Sequence, residues 1–192
     1  MTCILCLGCQ SNSFKDVATL TEFLQNPQNG YIQHKSINGY DFSLMYKPTD
    51  LVVGQQTSAV GLDESANELR EKYEDFLYFT LSIGKGGKEV LSAVPSGRKQ
   101  FGEMVQQLVF DMDKKVHLTT RSRDTLPLID YTYPRMYGMS SATSMLFVFP
   151  RKKESLTQEY LEFSIEDIGL LTGEVSFKIP LKHIVNEPTL IN

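Results

Sequence analysis

The most reactive side chains in this sequence are three cysteines, all of which lie within the first nine residues. Cys3, Cys6 and Cys9 form a C-x-x-C-x-x-C run, and thiolates at such spacing can bind zinc or an iron–sulfur cluster. A site of that kind needs a fourth ligand, and the nearest histidine is His34. We therefore predict no metal site. The remaining chain has no cysteine, which excludes a structural disulfide there.

Residues that could support catalysis are present, but they are scattered. Each of the three histidines stands alone in or beside a strand pattern, and no G-x-S-x-G motif marks a nucleophile. Asp111 and Asp113 lack the further carboxylates, the glycine and the glutamate of a calcium loop. The glycine-rich run 84–88 departs from the Walker sequence and is typical of a hairpin loop. We predict no catalytic residues, no cofactor and a protein that is not an enzyme.

One aromatic cluster suits binding better than catalysis. Tyrosine and arginine are enriched at binding hot spots because they combine a large contact area with a polar group. The candidate partner-binding residues stand at alternate positions along the chain: Tyr131, Tyr133, Arg135 and Tyr137. The alternative is that these rings cover the open end of a β-sandwich, as tyrosine corners do. A bound partner would be a protein, with a glycan as the alternative.

The elements that would position this cluster are mostly β-strands. Asn38-Gly39 predicts a hairpin between two strands, because this dipeptide readily adopts the positive φ that tight turns require. Alternation of apolar and polar residues predicts further strands over residues 75–83, 116–120, 125–133, 145–149, 160–165 and 174–181. Helical spacing appears near residues 17–24, 62–73 and 101–108, and Thr19 with Glu22 could form a capping box.

These patterns predict a mainly β fold with some α+β character, namely an antiparallel immunoglobulin-like β-sandwich with two or three peripheral helices. A chain of 192 residues fits one domain, which we assign to residues 16–192. The net charge of −4 disfavours nucleic acid, since proteins that bind it concentrate Lys and Arg. No apolar run approaches the roughly 20 residues of a membrane-spanning helix.

The first nine residues resemble a known sequence signal. Leu5-Cys6-Leu7-Gly8-Cys9 looks like the lipobox of bacterial lipoproteins, in which a small residue precedes a cysteine that is lipidated and becomes the mature N-terminus. The resemblance implies that residues 1–8 are the remaining apolar part of a signal peptide, that Cys9 carries the lipid, and that residues 9–15 form a tether. The alternative is a cytosolic protein with an apolar start.

The resemblance implies a location in the bacterial cell envelope, where the lipid would anchor the chain to a membrane such as the outer membrane. We expect a non-catalytic lipoprotein that binds a partner or assists assembly of an envelope complex. Two alternatives remain open. One is a small envelope hydrolase or a carbohydrate-binding or carbohydrate-processing protein, and the other is a cytosolic interaction domain.

Overall fold

The computed structural model describes residues 12–60 and 66–191. The predicted lipidation residue Cys9 and the predicted segment 1–8 lie outside the described residues. Six helices are described: α1 (Val17–Gln25), α2 (Thr49–Val60), α3 (Ala66–Tyr73), α4 (Val90–Ala93), α5 (Arg98–Phe110) and α6 (Leu181–Val185). The strands are β1 (Ser13–Phe14), β2 (Ile32–Ile37), β3 (Tyr40–Lys47), β4 (Phe76–Lys85), β5 (Lys88–Glu89), β6 (Val116–Thr120), β7 (Thr125–Leu126), β8 (Asp130–Thr132), β9 (Thr143–Pro150), β10 (Tyr160–Ile165), β11 (Val175–Pro180) and β12 (Thr189–Leu190).

Two antiparallel sheets form the body of the protein. The larger sheet has the strand order β2-β3-β4-β9-β8, with β5 paired to the end of β4, and the smaller sheet has the order β11-β10-β6-β7. Separately, β1 and β12 pair in parallel near the two ends of the described chain. The prediction of a mainly β, antiparallel body is confirmed at this level.

The two sheets contribute to one apolar core. At its centre the ring of Phe163, from β10 of the smaller sheet, meets three rings from the larger sheet. Its centroid lies 5.8 Å from Phe79, 5.7 Å from Phe147 and 6.2 Å from Phe149. Tilted and edge-to-face arrangements at these distances are the favoured geometry of aromatic pairs. The alternation seen in the sequence therefore does place one face of each strand in the core.

Local sequence explains the clearest elements. The β2–β3 hairpin turns at Asn38 and Gly39, whose φ angles of +51° and +77° are those that the Asn-Gly dipeptide tolerates. Helix α1 begins one turn earlier than the predicted capping box implied. Asp16 is its N-cap, and its carboxylate accepts a 2.8 Å hydrogen bond from the Thr19 N–H.

Three other predictions about the body were wrong. The predicted strand over residues 125–133 is two short strands in different sheets, β7 and β8, because Pro127 cannot donate a ladder hydrogen bond and the chain crosses between sheets there. The strand predicted to return after the 84–88 loop is only two residues long, and Val90 starts a helix. The described residues contain six helices, more than the predicted two or three.

Candidate functional site

The loop that joins β8 to β9, residues 133–142, lies against α4 and α5 and leaves an open cleft of about 370 Å³ between them. We call it the aromatic cleft. It is lined by Glu89, Leu91, Ser92, Phe101, Val105, Tyr133, Arg135, Tyr137 and Gly138. Three of the four residues predicted to bind a partner therefore meet in one place.

A tight turn shapes the loop side of the cleft. Tyr137 and Gly138 have φ angles of +52° and +82°, and the Met139 N–H donates a 3.0 Å hydrogen bond to the Met136 carbonyl. A non-glycine residue in the left-handed region is strained, so surrounding contacts must hold it there. One such contact is the 2.9 Å hydrogen bond from the Gly138 N–H to Glu89 Oε2.

Glu89 is the buried polar residue of the cleft, with an exposed fraction of 3%. It is the second residue of β5, where alternation turns Lys88 outward and Glu89 inward. Its Oε2 accepts the Gly138 hydrogen bond, whereas Oε1 is buried and receives no hydrogen bond from any residue that the structure describes. A buried acceptor without a donor is costly, so a small shift of the Glu89 side chain that brought Oε1 to the cleft surface would favour a ligand that donates a hydrogen bond.

The three predicted residues occupy different depths. Tyr133 is half-buried and packs against the core, whereas Arg135 is exposed and Tyr137 is 81% exposed. Burial raises the pKa of the Tyr133 hydroxyl, the Glu89 charge adds to that rise, and Arg135 opposes it. These opposing influences agree with Glu89 and Arg135 lying on the same cleft.

Tyr131, the fourth predicted residue, does not line the aromatic cleft. Its ring stacks on Phe147 with centroids 5.8 Å apart and an interplanar angle of 19°. Burial raises the pKa of its hydroxyl, and the backbone of Met112 partly offsets the rise. Tyr131 thus covers one edge of the core. This is the packing role that the alternative interpretation gave to the whole aromatic cluster.

Sequence reasoning did not assign the other six lining residues to a site, and two of them, Phe101 and Glu89, matter most for the proposal. Phe101 was assigned to the apolar face of its helix, and Met104 and Leu108 on that face are indeed buried. Phe101 itself is 48% exposed and lines the cleft. Glu89 gave no signal of its own beyond its place after the glycine-rich loop, and nothing in the sequence placed it beside Tyr133.

A half-buried carboxylate, Glu187, lies in a very different setting. We call it and its partners Tyr46, Thr49 and Arg151 the Glu187 network. Glu187 Oε2 accepts hydrogen bonds from the Tyr46 hydroxyl at 2.6 Å and from the Thr49 N–H at 3.2 Å. Arg151 Nη2 lies 3.0 Å from Glu187 Oε1 and 2.8 Å from the Tyr46 oxygen. Both oxygens of this carboxylate are satisfied, and the network joins β3, α2, the end of β9 and the segment before β12.

Electrostatics in the Glu187 network favour the state in which Tyr46 is neutral and Arg151 is charged. Burial raises the pKa of the Tyr46 hydroxyl well above its usual range, and the Glu187 charge adds to that rise. Burial alone would lower the pKa of Arg151, but Tyr46 and Glu187 outweigh it and the pKa is raised.

One histidine has an acidic partner that its sequence position did not reveal. His117 Nε2 lies 3.0 Å from Oε1 of Glu166, a residue 49 positions away, and Lys115 Nζ lies 2.9 Å from the other oxygen. The hydrogen bond from Lys115 has the largest effect in lowering the pKa of Glu166, and the hydrogen bond from His117 lowers it further. Ser164 stands opposite His117 in the strand register, but no hydrogen bond joins their two side chains in the described part of the chain. The hydrolase alternative stays a prediction.

Within the described ranges, 12–60 and 66–191, no group of three or more His, Cys, Asp or Glu side chains could hold a metal ion. Within the same ranges no helix combines the length and the apolar character needed to cross a membrane.

Comparison with known proteins finds only distant neighbours. No protein-family model matches the chain, and no curated protein matches it. A DUF4426 family protein from Pseudomonas aeruginosa PAO1 is 16% identical with a TM-score of 0.42, over 77% of this chain and 92% of that one. A novel protein of unknown function from Burkholderia pseudomallei K96243 is 10% identical with a TM-score of 0.43, over 85% and 83%. With TM-scores below 0.5, neither similarity establishes a fold family or a function for this chain.

Proposed function

We propose that this protein is a non-catalytic lipoprotein of the bacterial cell envelope that binds a protein partner at the aromatic cleft. Its body would be an immunoglobulin-like β-sandwich, a proposal supported by the two antiparallel sheets that share one core. The observation that carries the binding proposal is the convergence of Tyr133, Arg135 and Tyr137 with Phe101 over the buried carboxylate of Glu89.

Exposed apolar side chains cluster around the cleft. Nine large apolar side chains are exposed in the described part of the chain, and four of them lie in the cleft or on its turn: Phe101, Met136, Tyr137 and Met139. Clustered exposed apolar groups mark interaction surfaces, and methionine adapts its shape to a partner. This apolar rim favours a protein partner over a glycan.

The proposed anchor rests on the lipobox resemblance at Cys9. Strand β1 begins at Ser13, so only residues 10–12 would separate the lipidated cysteine from the folded body. Three extended residues span about 10 Å, which would hold the body close to the membrane surface. Stable anchoring requires two or more acyl chains, which the lipoprotein modification provides by resemblance.

Mass spectrometry of the mature N-terminus tests the anchor. We expect a diacylated or triacylated Cys9 as the first residue of protein recovered from the membrane fraction. Cys9→Ser should move the protein to the soluble fraction. An unmodified Met1 on soluble wild-type protein would contradict the proposal.

Site-specific photocrosslinking in the native host tests the cleft. A photoreactive residue at Tyr137 should yield a discrete crosslinked partner, because this side chain is 81% exposed at the cleft. The control position is Val185, which is 60% exposed at the other end of the sheets. Arg135→Ala should weaken the Tyr137 crosslink without loss of folding, since Arg135 is exposed. The same crosslinks from both positions, or no change with Arg135→Ala, would contradict a binding role for the cleft.

A further inference from the structure

Glu89 has one carboxylate oxygen that the described residues leave without a hydrogen-bond donor. The residue is only 3% exposed, so its charge is shielded from water. Ionised groups removed from water are normally paired or fully hydrogen-bonded, because an unpaired buried charge is strongly unfavourable. Among the described residues, Glu89 accepts a hydrogen bond from one backbone N–H, that of Gly138. The chemistry of the missing partner is therefore that of a donor, and preferably a charged one.

The walls above Glu89 suit a cation. The cleft carries three aromatic side chains, Phe101, Tyr133 and Tyr137, and the faces of such rings attract ammonium groups. Arg135 has the same sign as a bound cation, but it is exposed at the cleft, where water and salt screen its charge. Glu89 is buried and acts at short range in a less polar environment. Of the two charges, Glu89 has the stronger effect on a ligand.

From this geometry we propose that the cleft recognises the primary ammonium group of a lysine side chain on the protein partner, inserted between the aromatic side chains towards the carboxylate of Glu89. This inference rests on the proposed function. A lysine fits the depth of the site, since its ammonium is a compact charge at the end of a slender four-carbon arm. The planar guanidinium of arginine is broader and less suited to a nearly closed carboxylate.

The test is an NMR titration of the ¹⁵N-labelled full-length chain with two probes that differ in one group. Nα-acetyl-lysinamide carries the ammonium, and Nα-acetyl-norleucinamide has the same carbon chain without it. The reporter is the Gly138 amide, which donates to Glu89 Oε2. We expect a saturable shift of this resonance with the lysine probe and little or none with the norleucine probe.

Variants then separate charge from packing. Glu89→Gln keeps an acceptor oxygen but loses the charge, and it should weaken binding of the lysine probe by about tenfold, as expected for loss of a charge-assisted hydrogen bond. Glu103→Gln on α5 is the matched control, because its side chain is 64% exposed, and it should change nothing. Tyr137→Gly tests the ring contribution at an exposed position, where folding does not depend on the ring, and should weaken binding severalfold.

Three outcomes would overturn the proposal. One is an equal response to both probes, which would make the cleft merely apolar. Another is unchanged binding in Glu89→Gln. The last is a Gly138 shift with N-acetylglucosamine while the lysine probe has no effect, which would make the cleft a sugar site. If crosslinking at Tyr137 yields a partner but the lysine probe does not bind, the result contradicts only the recognition of an ammonium group and leaves the proposed binding role intact.

Discussion

Glu89 and Glu187 are both shielded carboxylates at opposite ends of β9. Glu89 lies beside the start of that strand, where the Val90 N–H donates a 3.0 Å hydrogen bond to the Thr143 hydroxyl. Glu187 lies beyond its end, where it contacts Arg151. An eight-residue strand separates the two by about 25 Å. Glu187 has donors for both oxygens, but Glu89 has a donor for only one among the described residues.

The difference between these carboxylates separates a structural role for Glu187 from the binding role that we propose for Glu89. The donors around Glu187 come from segments far apart in the chain, so its contacts hold the tertiary structure together. The hydrogen bond between Glu89 and Gly138 fixes one local turn and leaves one acceptor oxygen unused on a residue that lines the cleft. A buried polar group that is half satisfied reduces stability, and such groups are retained where function uses them.

Arg151→Met should have the largest effect on stability. It removes the cation from the Glu187 network and leaves a carboxylate that is only 18% exposed without its charge partner. Loss of one member of a buried pair should lower the free energy of unfolding by about 3 kcal/mol. Urea denaturation measures this. The control is Arg121→Met, whose ion pair with Glu159 is mostly exposed and should contribute less than about 0.5 kcal/mol.

The same substitution made at both carboxylates tests the comparison directly. Glu187→Gln replaces an acceptor oxygen by an amide donor that faces Tyr46 and Arg151. It should lower the free energy of unfolding by about 2 kcal/mol. Glu89→Gln can retain the Gly138 hydrogen bond and removes a buried charge that has only one donor, so it should leave the free energy of unfolding unchanged or raise it by about 1 kcal/mol. Both values come from urea denaturation at neutral pH. Equal losses at the two sites would show that Glu89 is also structural.

Alkaline pH should weaken the Glu187 network through Tyr46. Burial first, and then the Glu187 charge, raise the folded-state pKa of Tyr46 above its ordinary value of 10.0. The folded protein therefore keeps this proton while the unfolded chain releases it, so stability is full below about pH 10 and falls as the pH rises further.

Tyr46→Phe should reduce the loss of stability above pH 10. At neutral pH it should lower the free energy of unfolding by about 1 kcal/mol, because two hydrogen bonds of the hydroxyl disappear. Unfolding free energies measured on both sides of pH 10 provide the comparison. Tyr78→Phe is the reference, since burial raises the pKa of Tyr78 to about 12 without a link to Glu187 among its causes. A wild-type alkaline slope in Tyr46→Phe would contradict the assignment.

Tyr137→Gly should have the smallest effect on stability. The side chain is 81% exposed and its backbone is in the left-handed region, which glycine adopts without strain. We expect a change within about 0.5 kcal/mol, measured by urea denaturation. The partner crosslink, with the photoreactive group moved to Phe101, should be lost all the same. A large loss of stability would mean that the ring is a structural contact.

The sequence predicted those parts of the fold that depend on neighbours in the chain. The Asn38-Gly39 turn and the alternation in β9 and β10 follow from local chemistry, and they are confirmed. The break at Pro127 was misjudged because a short apolar run fits one strand as well as two. Only the assembly of two sheets decides where the chain crosses between them.

The candidate site was predictable in part for the same reason. Tyr133, Arg135 and Tyr137 lie close together in the chain, so their types and spacing could be noticed. Glu89 and Phe101 reach the cleft from other elements, and no local pattern joins them to the tyrosines. The Arg151–Glu187 contact spans 36 positions and is likewise a product of tertiary structure.

The pairing of β1 with β12 determines how the protein would respond to mechanical load. Ser13 and Phe14 run parallel to Thr189 and Leu190, joined by hydrogen bonds from Thr189 N–H to Asn12 O at 2.9 Å and from Ile191 N–H to Phe14 O at 2.8 Å. The Leu190 N–H also donates to Asp50, at 2.7 Å. Tension on the chain ahead of Asn12 would load these hydrogen bonds in shear and pass through Asp50 into α2. If Cys9 carries the proposed lipid, a pull on the body away from the membrane would thus be resisted at this small pair of strands before any strand of the two main sheets moved.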